Sequence, residues 1–253
     1  MFEEIAKNIL LDLSIYYSIT KCYSENKKKH KQQKKFYSAL IKNNDVVFDI
    51  GANIGQRSYV FSELCSKVIA VEPQPFCIRH LKSRFRFNKK IIIEPFAIDA
   101  KEGTAILHLS DSHTISSMSE KFILTVKKSV FRNNKWEKDI EVKTVTLDSL
   151  IEKHGLPAFI KIDVEGYELQ VLKGLSKPVR GISFEFLPML TEEIIACARK
   201  IHEIDSNYRF NYSVGEKLCF VLSSAVSYSD FIQSVIPKFI SEKSFGDIYA
   251  FIE

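Results

Sequence analysis

The chain has 253 residues, of which 45% are hydrophobic and 26% are charged, so it can bury the core of one large domain. It has no apolar run of the roughly 18–20 residues that span a bilayer, and residues 1–17 lack the basic lead and the cleavage site of a signal peptide. Its five cysteines are scattered without a C-x-x-C pair, which is typical of reduced thiols. The composition therefore predicts a cytoplasmic protein with no transmembrane segment.

The N-terminal region, residues 1–42, is predicted to be a helical, lysine-rich extension of a domain that covers residues 43–253. Apolar side chains recur at helical spacing over residues 1–17, which predicts docking on the body or on a second copy of the chain, with weak membrane-surface contact as the alternative. Residues 21–42 hold eight lysines and one glutamate, and the rest of the chain is nearly neutral. A nucleic-acid groove needs basic residues across a folded face. We therefore expect a solvated lysine helix and no nucleic-acid partner.

The first informative stretch runs from Asp45 to Gly55, with the sequence DVVFDIGANIG. Residues 46–50 are nearly all β-branched or aromatic, which is typical of a strand buried on both faces of a parallel sheet. Gly51 and Gly55 permit positive φ and let a ligand approach the backbone. Apolar residues then recur at helical spacing from Gln56 onward. We predict a strand, a glycine turn and the start of a helix.

A second strand, residues 67–72, ends in Glu72 and is stopped by Pro73. An acid at the tip of the second strand of a βαβ unit commonly holds a ribose diol. The dinucleotide pattern G-x-G-x-x-G is broken by Asn53, so the ligand is predicted to be a nucleoside without phosphates. Asp49 would attract an ammonium or sulfonium, and S-adenosylmethionine carries both. The alternative is that Asp-x-Gly is only a structural turn.

The next segments are predicted to be a surface helix over residues 75–88 and a third strand with its turn over residues 91–99. Ligands of open α/β sheets lie beyond the carboxyl ends of the strands, so Ala97 is predicted to flank the adenine. Residues 104–146 are predicted to be a β insertion, with a polar loop at residues 111–119 near the cofactor.

Two further apolar strands, residues 158–163 and 181–185, end in acids. Carboxylates at several strand ends would converge on one rim of the sheet, which is where chemistry usually lies in this architecture. The remaining elements are predicted to be a helix over residues 190–205, paired strands over residues 208–214 and 218–221, and a last strand over residues 246–252.

These motifs resemble the FkbM family of S-adenosylmethionine-dependent methyltransferases. The resemblance rests on DIGANIG at residues 49–55, VEP at 71–73, TLDSL at 146–150, and IKIDVEGYE at 160–168 with VLKG at 171–174. It implies a class I methyltransferase (Rossmann-like) α/β fold, with a seven-stranded, mostly parallel sheet and helices on both faces. It also implies methyl transfer to a hydroxyl oxygen, often on a sugar of a glycan or glycolipid.

The expected site residues fall into three groups; Ala97 and Glu185 are placed in them by their positions at strand ends, and the resemblance implies the others. The cofactor site is expected to comprise Asp49, Gly51, Asn53, Gly55, Glu72, Pro73, Ala97 and Asp163. The reacting methyl is expected to lie beside Asp163, Glu165 and Gly166. The acceptor, a small molecule or a glycan, is expected to contact Glu185 and the pair Ser116 and Ser117, which is similar to a serine pair of the family.

The expected reaction is an in-line displacement in which the acceptor oxygen loses its proton during or after attack. The candidate base is Glu165 or Asp163, and His113 is the alternative because a loop histidine can also take a proton near neutral pH. His113 could equally be an ordinary surface residue. A magnesium ion held by Asp163 and Glu185 also stays open, because hard cations favour oxygen ligands.

Two other classes of protein compete with a methyltransferase. A nicotinamide-dependent oxidoreductase would keep the fold and the ribose acid, but it needs the glycine that Asn53 replaces. A non-catalytic binding protein could use the lysine-rich segment as its contact, but it would have no need for the acids at the strand ends. Nothing in the sequence specifies the acceptor.

Overall fold

A computed structural model describes residues 27–128, 131–215, 217–242 and 244–252. The apolar stripe of residues 1–17 lies outside the described residues, and so does its predicted docking on a second copy or a membrane surface. The strands are β1 (Val46–Ile50), β2 (Lys67–Val71), β3 (Ile91–Glu94), β4 (Ala97–Ile98), β5 (Gly103–Ser110), β6 (Trp136–Val145), β7 (Phe159–Ile162), β8 (Gly181–Phe186), β9 (Arg209–Val214) and β10 (Gly246–Phe251).

The helices alternate with the strands for most of the chain. They are α1 (residues 27–37), α2 (Gln56–Ser62), α3 (Pro75–Arg84), α4 (Glu120–Val126), α5 (Leu147–His154), α6 (Glu168–Lys173), α7 (Thr191–Ile204), α8 (Tyr228–Asp230) and α9 (Ile236–Ser241), with a π turn at Phe231–Val235. Within the described ranges, no helix is long and apolar enough to cross a membrane.

The main sheet has seven strands in the order β3-β2-β1-β7-β8-β10-β9. Strands β3, β2, β1, β7 and β8 are parallel, and β10 runs antiparallel to both of its neighbours. This order confirms the predicted class I methyltransferase fold. Chain connections leave in opposite directions from β1 and β7, and a ligand crevice forms where the strand order reverses in this way.

Apolar side chains form a core on each face of the main sheet. One cluster packs the sheet against α5, α6 and α7, and the other packs it against α1, α2 and α3. Tyr37 of α1 is fully buried and meets the ring of Phe61 at 4.8 Å between centroids. Helix α1 therefore packs on the body of the domain while most of its lysines face solvent. The division at residue 42 stays a prediction from composition.

A second, three-stranded sheet has the order β4-β6-β5, and β5 and β6 pair antiparallel. It matches the predicted β insertion, but helix α4 inside it was not anticipated. The predicted third strand over residues 91–99 is divided between the two sheets. Pro95 has no N–H to donate, so the ladder of the main sheet ends at Glu94 and the chain crosses to β4.

The predicted pairing of residues 208–214 with 218–221 is wrong. Strand β9 pairs with β10, and residues 217–227 form bends and one isolated bridge, from Val226 to Phe210, instead of a strand. Leu218 has φ 48, a left-handed conformation that an extended strand does not contain. This segment folds over the outer edge of β9, where the N–H of Val221 donates to the carbonyl of Tyr212 at 2.9 Å.

Candidate active site

A cavity of about 310 Å³ opens at the carboxyl ends of β1, β2, β7 and β8. Its walls come from the turns after these strands, from β4, and from the loop at residues 113–118. All the predicted catalytic, cofactor and acceptor residues line it except Gly55 and Gly166. The structure therefore brings these side chains together in one cavity, as the strand ends predicted. Their chemical roles stay predictions.

The two glycines of the turn after β1 have different surroundings. Gly51 has φ 80, and a Cβ there would lie 1.8 Å from the carbonyl oxygen of Asp163, so only glycine lets this turn meet the turn after β7. Gly55 has φ 81, and a Cβ there would lie 2.4 Å from the ring of Phe85 on α3. The structure therefore corrects the expectation for Gly55, which serves the packing of α2 on α3 and does not face the cavity.

Glu72 is held rigidly at the tip of β2. One carboxylate oxygen accepts the N–H of Asn53 at 2.8 Å, and the other accepts the N–H of Gln74 at 2.8 Å. Burial raises the pKa of Glu72 to about 7 even though both N–H groups favour the charged form. Each oxygen keeps a further lone pair. The carboxylate can therefore also accept two ribose hydroxyls, with Pro73 and Ala97 in the adjoining wall.

Asp49, the last polar residue before the turn, is only 2% exposed. The hydroxyl of Ser58 on α2 donates to its carboxylate at 2.5 Å, and burial raises the pKa of Asp49 to about 6. A positively charged ligand group in the cavity would favour its ionised form. This arrangement suits the predicted role beside an ammonium or sulfonium.

Three carboxylates meet at the other end of the cavity. One oxygen from each of Asp163, Glu165 and Glu185 lies within 4.8 Å of the others. Burial and the neighbouring carboxylates raise the pKa of Glu165 and of Glu185 well above the usual range. Burial and the closeness of the carboxylates both disfavour the ionised forms of these two residues.

Lys161 distinguishes Asp163 from its two neighbours. This lysine is 1% exposed, and its Nζ lies 3.2 Å from Asp163 Oδ2 and 2.9 Å from Asp247 Oδ1. Burial alone would lower the pKa of Lys161, but the two aspartates raise it well above its ordinary value. Lys161 therefore stays charged and pairs with both aspartates. Among the described residues, no such ion pair reaches Glu165 or Glu185.

The turn after β7 presents Glu165 in a left-handed conformation, with φ 54 followed by φ 84 at Gly166. The hydroxyl of Ser117 donates to the carbonyl of Glu165 at 2.6 Å. From the other side, the carboxylate of Glu168 accepts the N–H of Gly166 at 3.1 Å. The polar loop and the turn therefore hold each other in place.

The two serines of the loop are 7% and 1% exposed and bond within the protein. Ser117 uses its proton on Glu165, while the hydroxyl oxygen of Ser116 accepts the N–H of Ser110 at 3.0 Å. Ser117 is thus a positioning residue in this structure. Ser116 keeps a proton to donate, so direct contact of this residue with an acceptor stays a prediction.

His113 lies with the cofactor turn. Its carbonyl accepts from the side chain of Gln74 at 3.0 Å and from that of Asn53 at 3.5 Å, and its ring packs on Phe76. Within the described chain, its Nδ1 is buried without a hydrogen-bond partner, and none of the three carboxylates bonds to the ring. The choice between Glu165 and His113 as the base stays a prediction.

Three residues of the site were not anticipated: Gln74, which holds both Glu72 and the loop; Lys161, which holds Asp163; and Arg57, which lines the cavity. For Lys161 a signal exists, because a lysine in the otherwise apolar strand FIKI must find a buried counter-ion. No local pattern marks Gln74 or Arg57, whose neighbours come from distant parts of the chain.

Comparison with known proteins agrees with this architecture. The methyltransferase FkbM domain model matches residues 49–209. Hexuronic acid methyltransferase AglP of Haloferax volcanii is 26% identical over 148 residues, which cover 55% of this chain and 54% of that relative. The chain thus spans about half the length of the curated relative.

Among solved structures, methyltransferase FkbM from Methylobacillus flagellatus KT superposes with a TM-score of 0.51 at 14% identity. The superposition covers 85% of this chain and 48% of that one, and at this identity it shows a shared fold. The family model covers more than half of the chain and spans both the glycine turn and the carboxylate cluster. The chain therefore belongs to the FkbM methyltransferase family.

Proposed function

We propose that this protein transfers a methyl group from S-adenosylmethionine to a hydroxyl oxygen of a sugar. One observation carries the proposal: the turn of Gly51 and the carboxylate of Glu72 share a single cavity with the neighbouring carboxylates of Glu165 and Glu185. The first two fit a nucleoside that carries a positive charge. The pair supplies a proton acceptor at the opposite end.

The residues present fit the cofactor. Glu72 would hold the ribose, Pro73 and Ala97 would flank the adenine, and Asp49 would face the positively charged end. The turn has no side chain at Gly51, because a Cβ there would collide with the carbonyl of Asp163. Bound there, S-adenosylmethionine supplies a methyl group that its sulfonium has already activated.

The proton of the acceptor hydroxyl would pass to a carboxylate oxygen of Glu165. A base works best when its pKa lies near the operating pH, and burial moves Glu165 in that direction from its ordinary value. Glu185, whose carboxylate lies within 4.8 Å of that of Glu165, would help to keep the pKa of Glu165 raised. Asp163, paired with Lys161, would position the cofactor instead of accepting the proton.

The acceptor is proposed to be a hydroxyl on a sugar of a glycan or glycolipid, and a hexuronic acid is the first to try because the relative from Haloferax volcanii is named for that substrate. A cytosolic location is proposed from the free cysteines, which include the buried Cys65, Cys77 and Cys197. Contact with a second copy through residues 1–17 remains a prediction.

Calorimetric titration tests the cofactor half of the proposal. The protein should bind S-adenosylhomocysteine with a dissociation constant at least about tenfold below that for NAD, because Asn53 occupies the position of the glycine that a pyrophosphate requires. Tighter binding of NAD would favour the oxidoreductase. Binding of neither would favour a non-catalytic protein. Methyl transfer from radiolabelled cofactor to hexuronate oligosaccharides, compared with the same oligosaccharides after carboxyl reduction, then tests the acceptor.

Magnesium dependence is a separate prediction. Asp163, Glu165 and Glu185 can offer three oxygen ligands, but Lys161 already supplies a positive charge beside Asp163. Activity that falls on addition of EDTA and returns with magnesium would support a bound cation. Activity unchanged by EDTA would show that Lys161 suffices.

A further inference from the structure

Arg57 is an unusual cation because its guanidinium lines the cavity without a polar partner. The residue lies in the first turn of α2 and is half-buried. In the described part of the chain, no hydrogen bond or ion pair reaches it, and its guanidinium lies over the ring of Tyr37, 6.0 Å from Cζ to centroid. By contrast, Arg84 donates to the carbonyl of Ile54 at 3.1 Å, and Arg180 is paired with Asp45.

A guanidinium in this position lacks the hydrogen bonds it would have in water. It carries five N–H donors in a planar fork and cannot lose its charge in a protein. Burial opposes that charge, and nearby Tyr37, Asp247 and Asp163 favour it, so the pKa of Arg57 stays raised. None of these groups reaches it with a hydrogen bond. The fork is therefore available to a ligand that enters the cavity.

The place of Arg57 in the cavity indicates which part of a ligand it meets. Glu72 and Ala97 define the end for the ribose and the adenine. Arg57 comes two residues after Gly55 and next to Ser58, whose hydroxyl donates to Asp49 at 2.5 Å, so it lies on the Asp49 side of the cavity. An adenosyl amino acid with its ribose on Glu72 would extend past Asp49 toward the guanidinium.

Carboxylates match the donor geometry of arginine, because two parallel N–H groups can bind both oxygens. The basic side chains in the described cavity wall are Lys29, His113 and Arg57. Lys29 has another interaction, and His113 lies on the side of Gln74. Arg57 is therefore the cation best placed to receive an anion.

We propose that Arg57 binds a carboxylate inside the cavity. The inference rests on the proposed function and deepens it. The carboxylate has two sources with the same chemistry: the amino-acid group of S-adenosylmethionine, and the carboxylate of a hexuronate acceptor. The position beyond Asp49 favours the cofactor.

The experiment compares wild-type protein with R57Q, R57K and the control R79Q, whose parent residue is exposed on α3 and outside the cavity wall. Each protein is titrated by calorimetry with S-adenosylmethionine and with its decarboxylated form. Glucuronate is then titrated with S-adenosylhomocysteine present. Circular dichroism and the unfolding temperature establish that each variant is folded.

If Arg57 binds the carboxylate of the cofactor, R57Q should bind S-adenosylmethionine about 10- to 100-fold more weakly, which is the usual effect of losing hydrogen bonds to a charged group. Its affinity for the decarboxylated form should change less than about threefold, because that ligand never used the arginine. R57K should fall between R57Q and wild type, since it keeps the charge but loses the fork. R79Q should match wild type.

If the carboxylate belongs to the acceptor, R57Q should bind S-adenosylmethionine as wild type does. Its affinity for glucuronate should fall about 10-fold or more. Equal losses for both forms of the cofactor, or no loss for any ligand, would overturn the proposal for Arg57 alone. Failure of the wild-type protein to bind S-adenosylmethionine would overturn the proposed function, and this inference with it.

Discussion

The carboxylates at the two ends of the cavity differ in the hydrogen bonds that they receive from the protein. At the cofactor end, Asp49 and Glu72 each accept hydrogen bonds from the protein, at 2.5 Å from Ser58 and at 2.8 Å from two backbone N–H groups. At the acceptor end, the carboxylates of Glu165 and Glu185 receive no hydrogen bond from any described residue and face each other instead.

This difference separates binding from proton transfer. Donors already in place hold a carboxylate in one geometry and favour its charge, which suits a group that must recognise hydroxyls and cations. Burial and neighbouring carboxylates raise the pKa of Glu165 and of Glu185, which suits a group that must accept a proton. Asp163 belongs to neither group, because its carboxylate is paired with the buried Lys161.

The most disruptive test is Gly51→Val, which would break the contact that joins the two ends. Its Cβ would start 1.8 Å from the carbonyl of Asp163, and the positive φ alone costs about 1–3 kcal/mol. We expect loss of S-adenosylhomocysteine binding in calorimetry and a marked fall in stability. The matched control is Gly155→Ala, where φ is 91 but nothing lies within 4 Å of the added Cβ. Equal effects of both changes would show that strain, and not the contact, matters.

The next largest effect is expected for Glu165→Gln, which removes the proton acceptor. Methyl transfer should fall by about 10²–10⁴, while S-adenosylhomocysteine affinity and the unfolding temperature should stay near wild type. Asp163→Asn is the control, because it removes the partner of Lys161 and should weaken cofactor binding. If Glu165→Gln keeps full activity, proton removal belongs to another residue.

A pH series on Glu72 tests the cofactor end. The pKa of Glu72 is raised from 4.5 to about 7 in the folded protein, so the folded state binds more protons than the unfolded state between these values. Raising the pH across this window should therefore cost up to about 3 kcal/mol of unfolding free energy, a penalty that is absent below it and complete above it.

Glu72→Gln should remove this part of the pH dependence and weaken S-adenosylmethionine binding by about 1.5–3 kcal/mol at pH 8. Urea unfolding at pH 5 and pH 8 provides the comparison, read as the difference between the two pH values so that any constant effect of the amide cancels. Parallel pH curves for the two proteins would contradict the raised pKa.

The smallest effect is expected for Ser117→Ala, which removes the hydroxyl that holds the carbonyl of Glu165. We expect a loss of about 0.5–1.5 kcal/mol of unfolding free energy. The rate of methyl transfer should fall with little change in S-adenosylhomocysteine affinity, because the loop would hold Glu165 less firmly. Ser116→Ala is the control for the same loop. A larger loss of activity in Ser116→Ala would indicate that the acceptor contacts Ser116 directly.

Much of the cofactor end was predictable from the sequence because its determinants are local. Residues 46–50 specify a strand, and the glycine after them specifies a turn. An acid followed by Pro73 marks the tip of the next strand. Parallel strands bring their carboxyl ends to one rim, so the meeting of Asp163, Glu165 and Glu185 followed from the ends of two strands, β7 and β8.

Tertiary structure alone decided the contacts between residues that are distant in the chain. Gly55 looked like part of the ligand turn, but the ring of Phe85 on a neighbouring helix is what requires a glycine there. Strand β9 found its partner in β10 instead of in the next residues, because the chain turns away at Leu218. The ion pair of Lys161 with Asp247 forms because β7 and β10 belong to the same sheet. The contact of Arg57 with Tyr37 forms because helix α1 packs on the body of the domain. Local propensity cannot encode these pairs, since each depends on strand register and helix packing that the whole chain sets together.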